Sequence, residues 1–373
     1  MKFLFTCGGT AGHINPAIGV AGRLKQLLPD AEMLFIGAQG MMETELVPRE
    51  GYEIRGIEVG NLSRSLSFAG LKHNAETAKK LMHGSRQAKE ILKDFRPDVA
   101  VGTGGYVCYP VLHAAHGLGV PTLVHESNAV PGLTTKLLAH SVDCVMVGFE
   151  NVKEHYPHGA NVVFTGTPVR TGFKALGREE ARARLGIPAE AKLLVSVWGS
   201  LGSDHINGLM PEFMKLVCAE GAFELIHSAG KRGYAKLKAA ADESCGPEIK
   251  ARGVDLREYI YDMPTVMAAA DLVMCRSGAS TLGELAALGM PALLVPSPNV
   301  TNHHQEKNAR LLESLGAAKV LLEGEFDARG LYDAAKALLN DGASLGAMSA
   351  AMRNSGVPDA AERIADLILG YVK

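Results

Sequence analysis

The sequence predicts an α/β protein of two Rossmann-like, doubly wound domains whose parallel sheets face each other across a cleft. Three observations carry that expectation. The glycine-rich runs FTCGGTAGH at residues 5–13 and SVWGSLGS at 196–203 each follow a short apolar strand and open into a helical pattern. They lie roughly 190 residues apart, whereas one βαβ unit needs only about 30, so each begins its own domain. Strand and helix patterns alternate along the chain, as in a parallel sheet covered by helices on both faces. At 373 residues and 47% hydrophobic, the chain also holds two cores of ordinary size.

Residues 2–6 read as a strand, and 14–28 carry apolar side chains at helical spacing. The next strand is 31–37, and a second helix begins over 43–50. VAVGTGG at 99–105 repeats the strand-then-glycine device. Residues 121–125 form a buried strand, followed by the loop ESNAVPG and a helix near 133–139; 142–147 and 162–165 complete the first half. A hinge is expected around 166–171, within and just after GTPVR. Beyond it, 193–197 is a strand and 209–220 a helix, and 223–228, 259–261, 272–275 and 292–295 continue the series of short apolar strands. The last helix, 360–371, fits either half by pattern alone.

A formal net charge of −2 gives no global attraction to nucleic acid, so any anion site is local. Six cysteines are scattered without a Cys-x-x-Cys pair, which suits a reducing cytosol and reads as buried thiols. MKFLF runs directly into the glycine turn and reads as a strand rather than a signal peptide. The most apolar stretch, 107–124, is broken by His113, His116, Gly117, Gly119 and Pro121, so a bilayer span is not expected. Any meeting with a membrane is peripheral.

Gly8-Gly9-Thr10-Ala11-Gly12, between strand and helix, presents backbone N–H groups and the positive helix end to an anion such as phosphate. The run lacks both the lysine of a P-loop and the Gly-x-Gly-x-x-Gly spacing, so neither ATP hydrolysis nor dinucleotide binding is signalled. Such a turn also serves strand-to-helix packing alone. His13 follows in the first helical turn, where an imidazole can reach a substrate and accept a proton near neutral pH, or be satisfied by local backbone. Gly102-Thr103-Gly104-Gly105-Tyr106 makes a second anion-binding turn at the edge of the same sheet, and the two together suit a diphosphate. His125-Glu126-Ser127-Asn128 occupies another strand end, as ligand groups or as a loop cap. In the second half, Ser277-Gly278-Ala279-Ser280 offers donors to a diphosphate. Glu284 can take two ribose hydroxyls or act as a helix-dipole partner. His303-His304-Gln305 and Asn308 follow in another loop, with an amide able to read sugar hydroxyls; adjacent histidines do not share a helix face, so no metal is expected there.

GGTAGH, GTGGY, HESN, GTPVR, GSLG, CRSGASTLGE and HHQEKNA occur in order from Phe3 to about Asp359. Together they resemble the MurG family, the UDP-N-acetylglucosamine transferases of peptidoglycan synthesis in glycosyltransferase family 28, which make lipid II from lipid I. The resemblance implies a GT-B fold, inversion at the sugar carbon, no required cofactor and no metal at the nucleotide. It implies His13 as candidate base, with Thr10, Gly12, Gly104, Gly105, Tyr106, His125, Glu126 and Asn128 about the lipid I acceptor. For the donor UDP-GlcNAc it implies Arg170, Ser200, Gly202, Ile260, Ser277, Gly278, Ala279, Ser280, Glu284 and Gln305, with Thr10, Gly12 and Asn128 reaching it from the first half. The last helix would cross back, giving an acceptor-binding, membrane-associating domain of 1–166 plus 358–373 and a donor-binding domain of 167–357.

The resemblance further implies a peripheral enzyme on the cytoplasmic side of the bacterial membrane, with an anionic lipid surface and cell-wall synthesis or division proteins as partners and no nucleic acid. Residues 63–92 supply Lys72, Lys79, Lys80, Arg86 and Lys89 for such a surface, each worth about 1 kcal/mol. Leu71, Leu81 and Met82 are available for shallow insertion, or the stretch is an ordinary solvated helix face. The chain departs from the family pattern at Trp198, where glycine is usual and where an indole would stack or pack. HESN, GTPVR and His304 are polar-for-polar changes. A glycolipid transferase, a UDP-GlcNAc epimerase and a non-catalytic UDP-sugar-binding protein are the rival readings, the first disfavoured by the paired glycine turns.

Overall fold

A computed structural model describes residues 1–60, 68–150, 152–169, 173, 176–199, 202–300 and 303–372, with the side chains of 68–79 outside that description. The chain divides into two compact units, Met1–Arg170 with Pro358–Lys373, and Thr171–Val357.

The first unit runs β1 (Lys2–Thr6), α1 (Ala11–Leu27), β2 (Glu32–Ala38), α2 (Glu43–Arg49), β3 (Glu53–Ile57), α3 (Phe68–Phe95), β4 (Val99–Gly102), α4 (Cys108–Gly117), β5 (Thr122–Glu126), α5 (Leu133–Leu138), β6 (Cys144–Val147) and β7 (Val162–Phe164). Its strands are all parallel, in the order β3-β2-β1-β4-β5-β6-β7. Alternation along β1 sends Phe3 and Phe5 to one face and Leu4 to the other. On the first face Phe5 stacks on Phe35 at 5.2 Å, over Ile14, Ala17 and Leu24 of α1. On the second, Leu4 and Ile36 meet Leu92, Val111 and Leu112 from α3 and α4.

The second unit runs α6 (Arg178–Leu185), β8 (Leu193–Val197), α7 (Asp204–Glu220), β9 (Glu224–Ser228), α8 (Tyr234–Cys245), β10 (Val254–Arg257), α9 (Met263–Ala269), β11 (Leu272–Cys275), α10 (Ala279–Leu288), β12 (Ala292–Leu294), α11 (His304–Ser314), β13 (Ala318–Val320), α12 (Ala328–Asn340) and α13 (Gly342–Ser355). Its parallel sheet has the order β10-β9-β8-β11-β12-β13. The terminal helix α14 (Ala360–Leu369) lies on α1, its Ile364, Ala365 and Ile368 fully buried in the first unit's core. Asn161 anchors the tail beyond it by donating to the Tyr371 hydroxyl at 3.0 Å.

In both sheets the strand order reverses beside the first strand of the unit, between β1 and β4 and between β8 and β11. Ligands of doubly wound folds bind at such points, beyond the carboxyl ends of the strands. The Gly8, Gly104, Gly199 and Ser277 turns all leave from those four strands.

One expected strand is corrected. Residues 259–261 are a loop, and the strand is β10, which pairs with β9 from Val254↔Leu225 to Arg257↔Ser228. Tyr-Ile-Tyr has strand-like composition, but Tyr261 is 84% exposed and only Ile260 turns inward, whereas the edge strand VDLR alternates with charge. The edge strands β3 and β13 were likewise not singled out, being short and interrupted by Arg55 and Lys319. All six cysteines are free thiols, five buried and Cys218 partly so.

Candidate functional site

At the first switch point the two glycine turns lock together through backbone. The Gly8 N–H donates to the Gly104 carbonyl at 3.2 Å. Gly105, at φ +92°, lies so close that a Cβ there would stand 2.4 Å from the Gly8 oxygen. The Gly9 N–H donates to the Glu43 carboxylate at 3.0 Å. The expected row of anion donors from Gly8 to Gly12 is therefore narrower than the sequence suggests, since Gly8 and Gly9 are already engaged. Thr10 is the extended residue before α1, and Ala11 and Gly12 begin the helix, where the first N–H groups lack intrahelical partners.

His13 is held from two sides. Its Nδ1 lies 3.0 Å from the Gly8 carbonyl, and because a carbonyl only accepts, Nδ1 carries the proton. The Thr10 hydroxyl is 3.4 Å from the same nitrogen. The Thr103 hydroxyl donates to the His13 carbonyl at 2.6 Å, pinning the helix start to the second turn. Nε2 is left as the proton acceptor on a half-buried ring. His125 is the opposite case. Its Nε2–H donates to the Gly166 carbonyl at 2.9 Å and its Nδ1 accepts from Ser127 at 3.2 Å. The ring is 1% exposed, and burial holds its pKa below the usual histidine value. Of the two histidines at this edge, His13 has the geometry of a base.

Glu126 serves the loop around it. One oxygen accepts from the Asn128 backbone and side-chain amides at 3.1 and 2.8 Å, and the other from Gly132 N–H at 2.9 Å and the Thr135 hydroxyl at 2.8 Å. With four incoming hydrogen bonds from three residues and 5% exposure it shapes the turn that carries Asn128 and starts α5. Tyr106, by contrast, is 53% exposed beside the second glycine turn.

At the second switch point, Gly278 is the extended residue before α10, and Ala279 and Ser280 form its first turn. This end presents N–H groups and a positive dipole. The Ser277 hydroxyl turns inward and donates to the Gln305 carbonyl at 2.8 Å, while the Gln305 side-chain oxygen accepts from Ser297 N–H at 2.9 Å. Asn308 donates to the Ser277 carbonyl at 3.3 Å; residues 304–308, expected in a loop, form the start of α11, which is thus tied to the loop before α10. Glu284 is buried in the second turn of α10. Gly202, at φ +76°, abuts Ala229, whose oxygen would stand 2.1 Å from a Cβ at 202.

Trp198 packs into the core and is 3% exposed. Its indole N–H donates to the Ser196 hydroxyl at 2.8 Å, which meets His227 Nδ1 at 2.9 Å. His227 Nε2 meets Asn207 Oδ1 at 3.2 Å, and Asn207 donates to the Ala229 carbonyl at 2.8 Å. This chain of bonds joins β8, β9 and α7. Arg276 lies over the indole at 5.4 Å, donates to Ser203 and Val295, and is ion-paired to Glu323.

The profile of the glycosyltransferase family 28 N-terminal domain matches residues 3–147, and that of the family 28 C-terminal domain matches 193–364. The chain belongs to glycosyltransferase family 28. A relative from Acetivibrio thermocellus, named UDP-N-acetylglucosamine--N-acetylmuramyl-(pentapeptide) pyrophosphoryl-undecaprenol N-acetylglucosamine transferase, is 42% identical over all of this chain and 99% of its own. A Listeria welshimeri relative of the same name is 39% identical over the whole of both chains. The crystal structure of Acinetobacter baumannii MurG superposes with TM-score 0.77 at 27% identity, covering 99% of each chain. The Staphylococcus aureus MnaA–UDP co-structure, at TM-score 0.69 and 17% identity over all of this chain and 97% of its own, shares the fold.

In this family 28 chain, Arg170 and Ser200 lie outside the described residues, as do the side chains of Leu71, Lys72 and Lys79. Lys80, Met82, Arg86 and Lys89 are exposed on α3, and Leu81 is partly so. No helix among the described residues is long and apolar enough to cross a membrane. Ile260 is buried in the loop after β10. Glu43, Thr103, Ser196, Asn207, His227 and Arg276 were not singled out as site residues. Arg276 had a signal, standing next to Ser277 at the end of a strand; each of the others has at least one partner 22 or more positions away.

Proposed function

We propose that this chain transfers N-acetylglucosamine from UDP-GlcNAc to the C4 hydroxyl of the N-acetylmuramyl unit of lipid I, giving lipid II and UDP. The observation that carries the reading is His13. Its Nδ1–H is committed to the Gly8 carbonyl, so Nε2 is the acceptor, beside two glycine turns at the first switch point. The names of the family 28 relatives supply the substrates.

In this reading the first unit takes the acceptor, with the start of α1 and the Gly104–Tyr106 turn about its diphosphate. The second unit takes the donor, with the start of α10 on the leaving diphosphate, Glu284 on the ribose and Gln305 on the sugar. His13 Nε2 accepts the C4–OH proton as that oxygen attacks the anomeric carbon. The bond from that carbon to the UDP oxygen breaks, and one displacement inverts the centre. The negative charge on departing UDP is met by protein donors at a helix start rather than by a required metal. Because the acceptor is lipid-linked, the protein works at the cytoplasmic membrane surface. The exposed Lys80, Arg86 and Lys89 favour anionic lipid there.

Incubation with UDP-GlcNAc, with and without lipid I, and identification of every sugar product tests the proposal. Lipid II and UDP appearing only with lipid I support it. An epimerised sugar nucleotide without acceptor, a different glycolipid, or no turnover at all would each replace it with one of the rival readings.

A further inference from the structure

The peptide unit joining Gly8 and Gly9 is gripped at both ends. Its carbonyl oxygen accepts from His13 Nδ1 at 3.0 Å, and its N–H donates to Glu43 Oε2 at 3.0 Å. Glu43 is fully buried at the first residue of α2, and its other oxygen accepts from Ala38 N–H at 2.9 Å at the end of β2. The carboxylate has room only because two neighbours lack side chains. A Cβ at Gly8 would stand 2.3 Å from Glu43 Oε1, and one at Gly37 would stand 2.5 Å from its Cγ. A carboxylate, a peptide and an imidazole thus form one hydrogen-bonded line.

The geometry points to Glu43 as a positioning residue that acts on His13 through the Gly8–Gly9 peptide, an inference that rests on His13 being the base. The peptide is planar, so fixing its N–H fixes the direction of its C=O. A charge-assisted bond to the N–H also polarises the amide and makes its oxygen a stronger acceptor. Both effects hold the proton on Nδ1 and the lone pair on Nε2. In triads of the Ser-His-Asp kind a carboxylate orients the histidine directly. In this chain a peptide bond stands between them.

The test is Glu43→Gln in the full-length chain, with Glu43→Asp in parallel because removing an acceptor from two converging N–H groups costs stability. Glutamine leaves one acceptor for two donors, and aspartate keeps the charge on a shorter arm. Ring-nitrogen NMR reads the His13 tautomer, with thermal unfolding to show that each variant is folded. Both variants are expected to lose the pure Nδ1–H form. Their kcat with lipid I should fall about tenfold or more, the range typical of groups that orient a functional histidine, while KM for UDP-GlcNAc stays within about twofold. A folded variant whose His13 ring stays wholly in the Nδ1–H form overturns the proposal. A ring that loses that form while turnover is unchanged upholds the link from Glu43 to His13 and removes His13 as base.

Discussion

Gly104 lies against the His13 imidazole: a Cβ at position 104 would stand 2.5 Å from Cδ2 and 2.9 Å from Nε2. The same residue has φ +114°, a backbone region that side chains avoid. One atom added there displaces the ring from the place where its lone pair is offered, and strains the backbone by about 1–3 kcal/mol. Gly104→Ala is expected to lower turnover with lipid I by about a hundredfold, since misplacement of a reacting group by about 1 Å has that effect. UDP-GlcNAc affinity by calorimetry should not change. Near-normal turnover would mean that the direction of the ring is immaterial.

His13→Ala removes the acceptor nitrogen itself. General-base contributions of about 10²–10⁴ set the expected loss in kcat, with donor binding retained. Steady-state kinetics at saturating UDP-GlcNAc measure it. Turnover within a few-fold of the parent would exclude His13, and His125 would not replace it, because both its nitrogens are engaged.

Trp198 tests whether the indole belongs to the core or to the donor. Trp198→Phe keeps most of the buried volume but removes the N–H that the Ser196 hydroxyl accepts. The Ser196 hydroxyl keeps His227 but loses one incoming bond, worth about 0.5–1.5 kcal/mol, so the urea midpoint should drop. UDP-GlcNAc affinity should stay within about threefold. Trp198→Gly should cost about 3–5 kcal/mol through the cavity it opens. Loss of donor binding in a Phe variant of unchanged stability would place the indole on the ligand.

His227 makes stability depend on acid. Burial pushes its pKa down from 6.5 to about 3, so the folded protein resists a proton that the unfolded chain accepts. The unfolded state binds more protons below pH 6.5, and stability therefore rises with pH across this window. Its full contribution is present above about 6.5 and is lost as pH falls toward about 3, by about 1.4 kcal/mol per pH unit. His125 adds in the same direction. Urea unfolding at pH 7 and pH 5 should differ by about 2 kcal/mol, with a shallower difference in His227→Gln. A parent protein equally stable at both pH values would contradict this.

The sequence by itself determined the two doubly wound sheets and the glycine turns at their switch points. These are local signals. Period-2 and period-3.6 patterns and glycines between strand and helix are written in a few consecutive residues. Strands buried on both faces were legible for the same reason, whereas the edge strands β3, β10 and β13 alternate with charge and were not. Only the tertiary structure decided which nitrogen of His13 carries the proton, that Gly8 and Gly9 give their N–H groups to protein, that Glu126 organises a loop and that Trp198 belongs to the core. Each depends on a partner brought close by the folded chain, Glu43 to Gly9 across 34 positions and Thr103 to His13 across 90. A hydrogen bond is set by distance and direction in space, and residue order along the chain carries neither.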